Sequence, residues 1–284
     1  MPQPGEIREG REEHAMALHE DYLCDGYVIH PQPLIPAELV QRCMDGMDDV
    51  LAGRYETGIS PQPSYWNPGD DPNKLGKVEM PQLANRAIME LVSHPAIGRL
   101  AAEVTGARRV QVWWVQLLSK PPVRTESGTG VSVGWHQDRQ YWKTWKEGSE
   151  LFTAWVAVSN VSADTGPMAF VKGSHRWGLL NQGDFYFDDI EIQREQITLP
   201  PGETWREEEA ILLPGGVSFH HCLTFHGSRP NRSGAPRRSF AIHMRTENSC
   251  PVAPSEGTLA QFIQNTDYCP VVYDADTPDS PPTG

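Results

Sequence analysis

The spacing of apolar residues predicts helices in the first third of the chain and strands after it. Apolar positions recur with the 3.6-residue period of a helix in four segments: 11–24, 39–51, 84–92 and 95–105. Pro36 suits the first turn of the second helix, where its fixed backbone angle is already helical. A short apolar run, 27–29, predicts a strand between the first two helices.

From residue 109 the chain becomes rich in β-branched and aromatic residues. Strand-like runs lie at 110–118, 151–159, 168–171, 210–213, 217–225 and 238–244. Turn signals such as Lys172-Gly173-Ser174 separate them, and short punctuated strands indicate a sandwich or barrel. We therefore expect a mainly β protein with flanking helices and a single domain, 1–284. Its parts would be a helical layer with a lid loop (1–108), a β core (109–250) and a C-terminal extension (251–284).

Two long segments lack a regular pattern. Residues 56–82 are rich in proline and glycine, and loops of this length are often functional lids. Residues 183–209 are acidic and polar and are expected to cross one mouth of the β structure, with Glu207–Glu209 as a solvated turn. We expect both segments to select the substrate, because specificity loops are carried on a rigid scaffold.

Composition excludes several classes of partner. The net charge of −13 over 284 residues argues against nucleic acid or an anionic membrane surface. No apolar run approaches the 18 residues of a membrane span, and the N-terminus has no apolar signal region. The five cysteines are odd in number and form no C-x-x-C pair, which is typical of reduced thiols. A cytoplasmic protein is expected, and nothing in the sequence predicts its oligomeric state.

The candidate chemistry begins at a predicted strand end. His136 and Asp138 stand two residues apart, so an imidazole and a carboxylate share one face. With a second histidine they would make the 2-His-1-carboxylate triad of non-haem iron oxygenases. His226 is the favoured second histidine because it ends an apolar strand, and His220 and His221 on the same strand remain alternatives.

An arginine follows at the position that an acidic co-substrate requires. A hairpin between the strand of His226 and the next strand would bring Arg237 close to the metal. A guanidinium fork matches a carboxylate with two parallel hydrogen bonds. Arg237 and Ser239 share the face expected to line the barrel, whereas the alternative, Arg238, shares the opposite face with Phe240.

In order along the chain, these motifs resemble the phytanoyl-CoA dioxygenase family of Fe(II)/2-oxoglutarate-dependent oxygenases. The similarity extends from about residue 20 to residue 247. The matching segments are Asp25-Gly26-Tyr27-Val28, Leu118-Ser119-Lys120-Pro121-Pro122, Trp135-His136-Gln137-Asp138, Ala154-Trp155-Val156-Ala157-Val158, Thr165-Gly166-Pro167-Met168, Gly173-Ser174-His175 and His226-Gly227-Ser228 with Asn231-Arg232-Ser233 and Arg237. The resemblance implies a double-stranded β-helix (jelly roll, cupin-like) with an N-terminal helical layer.

The resemblance also implies roles for individual residues. His136, Asp138 and His226 would bind Fe(II), and Arg237 would hold the distal carboxylate of 2-oxoglutarate. By family position, three further residues would line the co-substrate pocket: Lys120, Trp155 and Ser228. Four tryptophans are expected to keep the site dry: Trp135, Trp142, Trp145 and Trp155. His175 and His243 are expected to be structural or pocket-lining histidines.

The implied reaction follows from counting ligands. Three protein ligands leave three positions on six-coordinate iron, two for 2-oxoglutarate and one for O₂. The products would be succinate, CO₂ and a small-molecule metabolite hydroxylated or desaturated at an unactivated C–H bond, as in a biosynthetic tailoring enzyme. Relatives that halogenate usually have a small residue at the position of Asp138, so its carboxylate disfavours halogenation.

Alternative functions remain open at this point. An acyl-CoA or free amino-acid hydroxylase belongs to the same family, but Lys120 and Arg124 alone do not make a basic patch for CoA phosphates. A cupin-like metal-dependent hydrolase or lyase could use the same ligands as a Lewis-acid site, although it would not need the carboxylate clamp of Arg237. A non-catalytic relic that binds a ligand would have no reason to keep all three metal ligands.

Overall fold

The protein folds around two antiparallel sheets, and the computed structural model describes residues 4–123, 130–252 and 259–277, with only the backbone of 4–12. The helices are α1 (Pro4–Asp25), α2 (Ala37–Leu51), α3 (Arg86–Val92), α4 (Pro95–Thr105) and α5 (Ile190–Gln196). The strands are β1 (Tyr27–His30), β2 (Gly76–Glu79), β3 (Arg109–Lys120), β4 (Val133–His136), β5 (Leu151–Ala157), β6 (Ala169–Val171), β7 (Glu207–Glu209), β8 (Val217–His221), β9 (His226–Ser228), β10 (Arg237–Thr246) and β11 (Val271–Asp274). No helix in these ranges is long and apolar enough to span a membrane.

The strands form a major and a minor sheet. The major sheet has the order β1-β8-β5-β10-β3-β11, with β2 also paired to β3, and the minor sheet has the order β4-β9-β6-β7. The sheets face each other, since the ammonium group of Lys120 on β3 donates to the hydroxyl of Ser228 on β9. This arrangement confirms the predicted mainly β, jelly-roll fold with flanking helices.

The N-terminal helices cover the outer face of the major sheet. Buried residues of α2, among them Cys43 and Met47, lie in one apolar cluster with Phe240 and Ile242 of β10. Because side chains alternate along a strand, Arg237, Ser239 and the other odd-numbered residues near the start of β10 face the opposite sheet. The alternation of β10 thus separates the helix-covered core from the inner cavity.

Phe240→Ala tests this division of β10. Phe240 is fully buried against the helices, so we expect its truncation to lower the free energy of unfolding by about 3–5 kcal/mol. Urea denaturation followed by circular dichroism would measure the change. Ser239→Ala, one residue away on the cavity face, is the matched control and should change stability by less than about 1 kcal/mol. Equal losses in the two variants would contradict this packing.

The acidic run forms an edge strand instead of the predicted solvated turn. Glu207–Glu209 is β7 and pairs with β6, whereas the predicted strand at 210–213 makes only an isolated bridge through Leu212. Side-chain partners explain the difference. The hydroxyl of Tyr27 donates to Glu208 at 2.6 Å, and Arg229 pairs with Glu207 at 2.9 Å. Local charge patterning did not reveal these distant partners.

The predicted strand 217–225 ends four residues early, and the strand that follows it lies in the other sheet. β8 ends at His221 in the major sheet, and β9 begins at His226 in the minor sheet. The predicted hairpin between the strand of His226 and β10 is therefore wrong. Residues 229–236 cross from one sheet to the other, so Arg237 faces the minor sheet across the cavity.

Segments predicted as irregular also contribute strands. β2 lies within 56–82 and β11 within the C-terminal extension, and both pair with β3 of the major sheet. The connection 183–209 contains α5 and β7. The segments on both sides of the predicted β core thus form part of the sheet as well as the layers around it.

Candidate metal centre and co-substrate pocket

Three side chains converge between the minor sheet and the cavity. His136 ends β4 and lies directly opposite His226 at the start of β9, so the two imidazoles are adjacent. Asp138 follows an extended Gln137 and opens a single 3₁₀ turn. Its Oδ1 lies 3.7 Å from Nε2 of His136 and 3.6 Å from Nε2 of His226. These three buried residues offer ligand atoms that all lie within 4.8 Å of one another.

Backbone carbonyl groups orient both imidazoles. Nδ1 of His136 donates to the carbonyl of Gly134 at 2.8 Å, and Nδ1 of His226 donates to that of Thr224 at 2.9 Å. Each ring therefore turns its Nε2 towards Asp138. Metal-binding histidines commonly have this arrangement. The donor set of two nitrogens and one carboxylate fits Fe(II) with open positions.

The second oxygen of Asp138 is held by the major sheet. Oδ2 accepts hydrogen bonds from the hydroxyl of Thr153 at 2.9 Å and from Nε2 of His220 at 3.2 Å. The Thr153 hydroxyl in turn accepts from Nδ1 of His243 at 2.9 Å. With Oδ2 occupied, Asp138 offers only Oδ1 to a metal, which leaves more coordination positions for other ligands.

Electrostatics favour an ionised Asp138 and a neutral His226. Burial alone would raise the pKa of Asp138. The imidazoles of His226, His136 and His220 together have the larger, opposite effect, and the pKa lies well below its usual value. Burial, with the neighbouring imidazoles, also lowers the pKa of His226 well below its usual value. An ionised carboxylate beside a neutral imidazole can bind a cation without first releasing a proton.

Thr153→Val should weaken metal binding without removing a metal ligand. The variant keeps the shape of the side chain but loses the donor to Oδ2 of Asp138 and the acceptor for His243. Loss of such an outer partner typically costs 10- to 100-fold in metal affinity, and we expect about that here. Anaerobic Fe(II) titration against a competing chelator would measure it. Thr246→Val removes a buried hydroxyl that bonds Glu150 outside the site, and an equal loss there would contradict the assignment.

Two buried cations lie on the inner face of the major sheet. Arg237 of β10 is directly opposite Lys120 of β3. The Lys120 ammonium donates to Oγ and the carbonyl of Ser228 and to the carbonyl of Arg229. The Arg237 guanidinium donates to the carbonyl of Gly166 and lies 5.0 Å from the ring centroid of Trp155. Neither cation has a carboxylate partner among the described residues.

Several polar atoms of this pocket lack a protein partner. Among the described residues, these buried atoms include Nε of Arg237, Oγ of Ser239 and Nε1 of Trp155. Burial lowers the pKa of Arg237 to about 10, and burial together with the charge of Arg237 lowers that of Lys120 well below its usual value. A bound dianion would offset both charges and occupy the free donors. These residues therefore fit 2-oxoglutarate.

The alternative residues weighed in the sequence take other positions. Arg238 projects to the helical side and pairs with Asp48 at 2.7 Å. His221 lies away from the three converging side chains, near the rings of Tyr22 and His175. His220 does enter the site, as the donor to Asp138 described above.

A cavity of about 240 Å³, open on one side, extends from the metal centre to Arg237. Of the four tryptophans expected there, Trp142 and Trp155 line it, whereas Trp135 and Trp145 pack in separate apolar clusters. Sequence reasoning missed Thr153, although its alternation with Trp155 along β5 was a usable signal. It also missed Trp114, Lys77 and Glu79, which line the cavity as well. Lys77 and Glu79 belong to β2, a segment that the sequence predicted to be an irregular loop.

The two segments predicted to cover the site meet above it. Tyr65, from the 56–82 segment, lies 5.2 Å from Tyr186, from the 183–209 segment, as measured between ring centroids. The neighbouring Phe185 lies 5.2 Å from the ring of His136. Both Phe185 and Tyr186 line the cavity. These segments therefore form its outer wall.

A jelly roll with this ligand set defines a class of metalloenzyme, the non-haem iron, 2-oxoglutarate-dependent dioxygenases. The family model described as phytanoyl-CoA dioxygenase (PhyH) matches residues 22–239. The chain belongs to the phytanoyl-CoA dioxygenase family, and it is an enzyme of this class.

Individual relatives extend the comparison. A probable alpha-ketoglutarate-dependent hypophosphite dioxygenase from Stutzerimonas stutzeri is 25% identical over 240 residues, which are 82% of this chain and 79% of that protein. Among solved structures, the non-heme alpha ketoglutarate dependent epimerase SnoN matches with a TM-score of 0.66 and 24% identity, over 87% and 89% of the two chains. The carbocyclase SnoK matches with a TM-score of 0.65 and 23% identity, over 86% and 94%. These structural likenesses establish the fold.

Proposed function

We propose that the protein hydroxylates or desaturates an unactivated C–H bond of a small-molecule metabolite, converting 2-oxoglutarate and O₂ into succinate and CO₂. The observation that carries this proposal is the buried guanidinium of Arg237, which has no carboxylate partner in the described chain and lines the same cavity as His136, Asp138 and His226. The buried ammonium of Lys120 lies behind it, opposite Arg237 in the sheet and bonded to Ser228 of the cavity wall. A hydrolytic or lyase metal site has no need of such an anion pocket.

The residues of the site would divide the work as follows. His136, Asp138 and His226 would hold Fe(II), and Arg237 with Ser239 would bind the distal carboxylate of 2-oxoglutarate. Lys120, Ser228 and Trp155 would line the rest of the co-substrate pocket. Bound Fe(II), with 2-oxoglutarate and O₂, supplies the oxidation of the C–H bond. Phe185 and Tyr186 would exclude water from the reacting atoms.

Two of the relatives support a role in natural-product biosynthesis. SnoN and SnoK both come from nogalamycin biosynthesis, and SnoN has been crystallised with Fe³⁺, alpha ketoglutarate and nogalamycin RO. The hypophosphite relative, in contrast, acts on a small inorganic anion by its name. The aromatic wall of the present cavity favours an organic substrate, so we propose a tailoring reaction.

An anaerobic optical titration tests the function. Fe(II) followed by 2-oxoglutarate should produce a visible metal-to-ligand charge-transfer band, and admission of O₂ should convert 2-oxoglutarate into succinate. Absence of the band, together with tight zinc binding and no succinate, would overturn the proposal. That result would favour the metal-dependent hydrolase or lyase alternative on the same fold.

A further inference from the structure

The cavity continues beyond the metal and co-substrate residues to the edge strand β2. Lys77 lies opposite Leu118 of β3, and Glu79 lies opposite Gln116. All four residues line the cavity. Neither Lys77 nor Glu79 belongs to the proposed iron or 2-oxoglutarate site. Both residues are therefore available to contact the substrate.

Lys77 and Glu79 form a buried, electrically balanced pair. Their side chains retain only 11% and 12% exposure, and the ammonium of Lys77 donates to Oε1 of Glu79. The carboxylate also accepts from Nε1 of Trp114, at 2.6 Å from Oε2, and from Nε2 of Gln116, at 3.3 Å from Oε1. Glu79 therefore neutralises Lys77 and has a donor on each oxygen.

Lys77 keeps unused hydrogen-bond donors. Within the described chain its ammonium contacts only Glu79 and the ring of Phe185, whose centroid is 5.5 Å away. An ammonium carries three N–H donors, so two of them have no protein acceptor. A ligand oxygen in the cavity would satisfy them with charge-assisted hydrogen bonds. Because the charge is already balanced, a neutral acceptor fits better than an anion.

The walls around this pair are aromatic. The rings that line the cavity outside the co-substrate pocket belong to Trp114, Tyr141, Trp142, Phe185 and Tyr186. Flat rings pack well against such walls through offset or edge-to-face contacts. A small oxyanion would leave these walls without apolar contact, and a CoA thioester would bring phosphates to a pair that offers no net positive charge.

We propose that the substrate is an uncharged, ring-containing organic molecule whose carbonyl or ether oxygen accepts a hydrogen bond from Lys77. This inference rests on the proposed function, because it assigns the substrate end of the same cavity. Glu79 fixes Lys77 and removes its attraction for anions, so the pair selects neutral oxygen acceptors.

Three probes with one carbon skeleton test the proposal. 1-Tetralone has a neutral carbonyl, tetralin lacks the oxygen, and 1,2,3,4-tetrahydro-1-naphthoate carries a carboxylate. Binding would be measured by calorimetry on the anaerobic protein loaded with Fe(II) and 2-oxoglutarate. We expect 1-tetralone to bind about 10- to 100-fold more tightly than tetralin, as a hydrogen bond to a charged donor provides, and more tightly than the carboxylate.

Variants of the pair give opposite expectations. Lys77→Met combined with Glu79→Gln keeps the cavity neutral and should bring the two affinities, for 1-tetralone and for tetralin, within about twofold of each other. Glu79→Gln alone leaves Lys77 unbalanced and should raise affinity for the carboxylate probe by about tenfold or more. Lys172→Met, which removes an exposed lysine paired with Asp25, should leave all three affinities unchanged.

The charge-transfer band, recorded on the same samples, separates the two proposals. A missing band in the wild-type protein would overturn the proposed function and this inference with it. If the band is intact, the proposed function stands, and any of three binding results would overturn this inference alone. These results are that the carboxylate probe binds best, that 1-tetralone binds no more tightly than tetralin, or that the advantage of 1-tetralone persists in the double variant. An intact band without detectable 1-tetralone binding at millimolar concentration would overturn it as well.

Discussion

Arg237→Met is expected to weaken 2-oxoglutarate binding by between about 30-fold and about 4,000-fold, the equivalent of about 2–5 kcal/mol for a truncated buried charge pair. The guanidinium is buried, and its Nε has no protein partner in the described chain. Methionine preserves much of the volume next to Trp155 but provides no donor. The loss should therefore arise from the missing hydrogen bonds to a carboxylate and not from a cavity.

The next residue provides the control for this prediction. Arg238→Met removes an equal charge one position along β10, where the side chain pairs with Asp48 on the helical side. We expect its 2-oxoglutarate dissociation constant to stay within about threefold of the wild type, since this side chain points away from the cavity and does not line it. Anaerobic titration of the charge-transfer band gives both constants. A stronger effect for Arg238 than for Arg237 would reverse the assignment of the clamp.

The sequence predicted correctly those features of the fold that depend on the alternation of side chains between neighbouring residues. The period-2 alternation of β10 placed Arg237 and Ser239 on one face and Phe240 on the other, which is the arrangement in the structure. Likewise, the two-residue spacing of His136 and Asp138 predicted a shared direction, and their facing atoms lie 3.7 Å apart. Such inferences need only the local direction of an extended backbone, which Gln137 continues beyond the end of β4.

The misses involve pairings between residues distant in sequence. The break between β8 and β9 depends on which sheet each strand joins, and the apolar run 217–225 carries no signal of that. Glu207–Glu209 becomes a strand because Tyr27 and Arg229, both remote along the chain, satisfy its carboxylates. The positions of Lys77 and Glu79 could not be predicted, because they lie in a proline-rich segment without a strand pattern. Its strand, β2, forms through pairing with β3, which is distant in sequence.

Asp138→Ala is expected to abolish the charge-transfer band and to weaken Fe(II) binding by more than the roughly 100-fold upper range for outer-shell partners. The carboxylate is the only anion among the three converging groups, and its Oδ1 lies between two imidazole nitrogens. Removing it leaves two neutral ligands for a dication. Asp276→Ala, which removes an exposed carboxylate paired with Arg108, should bind Fe(II) like the wild type.

Variants of His226 and His220 complete this test, because these two histidines approach different oxygens of Asp138. His226 faces Oδ1 at 3.6 Å, with its other nitrogen bonded to a carbonyl, whereas His220 donates Nε2 to Oδ2 at 3.2 Å. His226→Ala should therefore abolish the band, as Asp138→Ala does. His220→Ala should keep the band and lower Fe(II) affinity by about 10- to 100-fold, as loss of an outer partner does. The reverse result, with the band surviving only in His226→Ala, would make His220 the third ligand and require the Asp138 carboxylate to present its other oxygen to the metal.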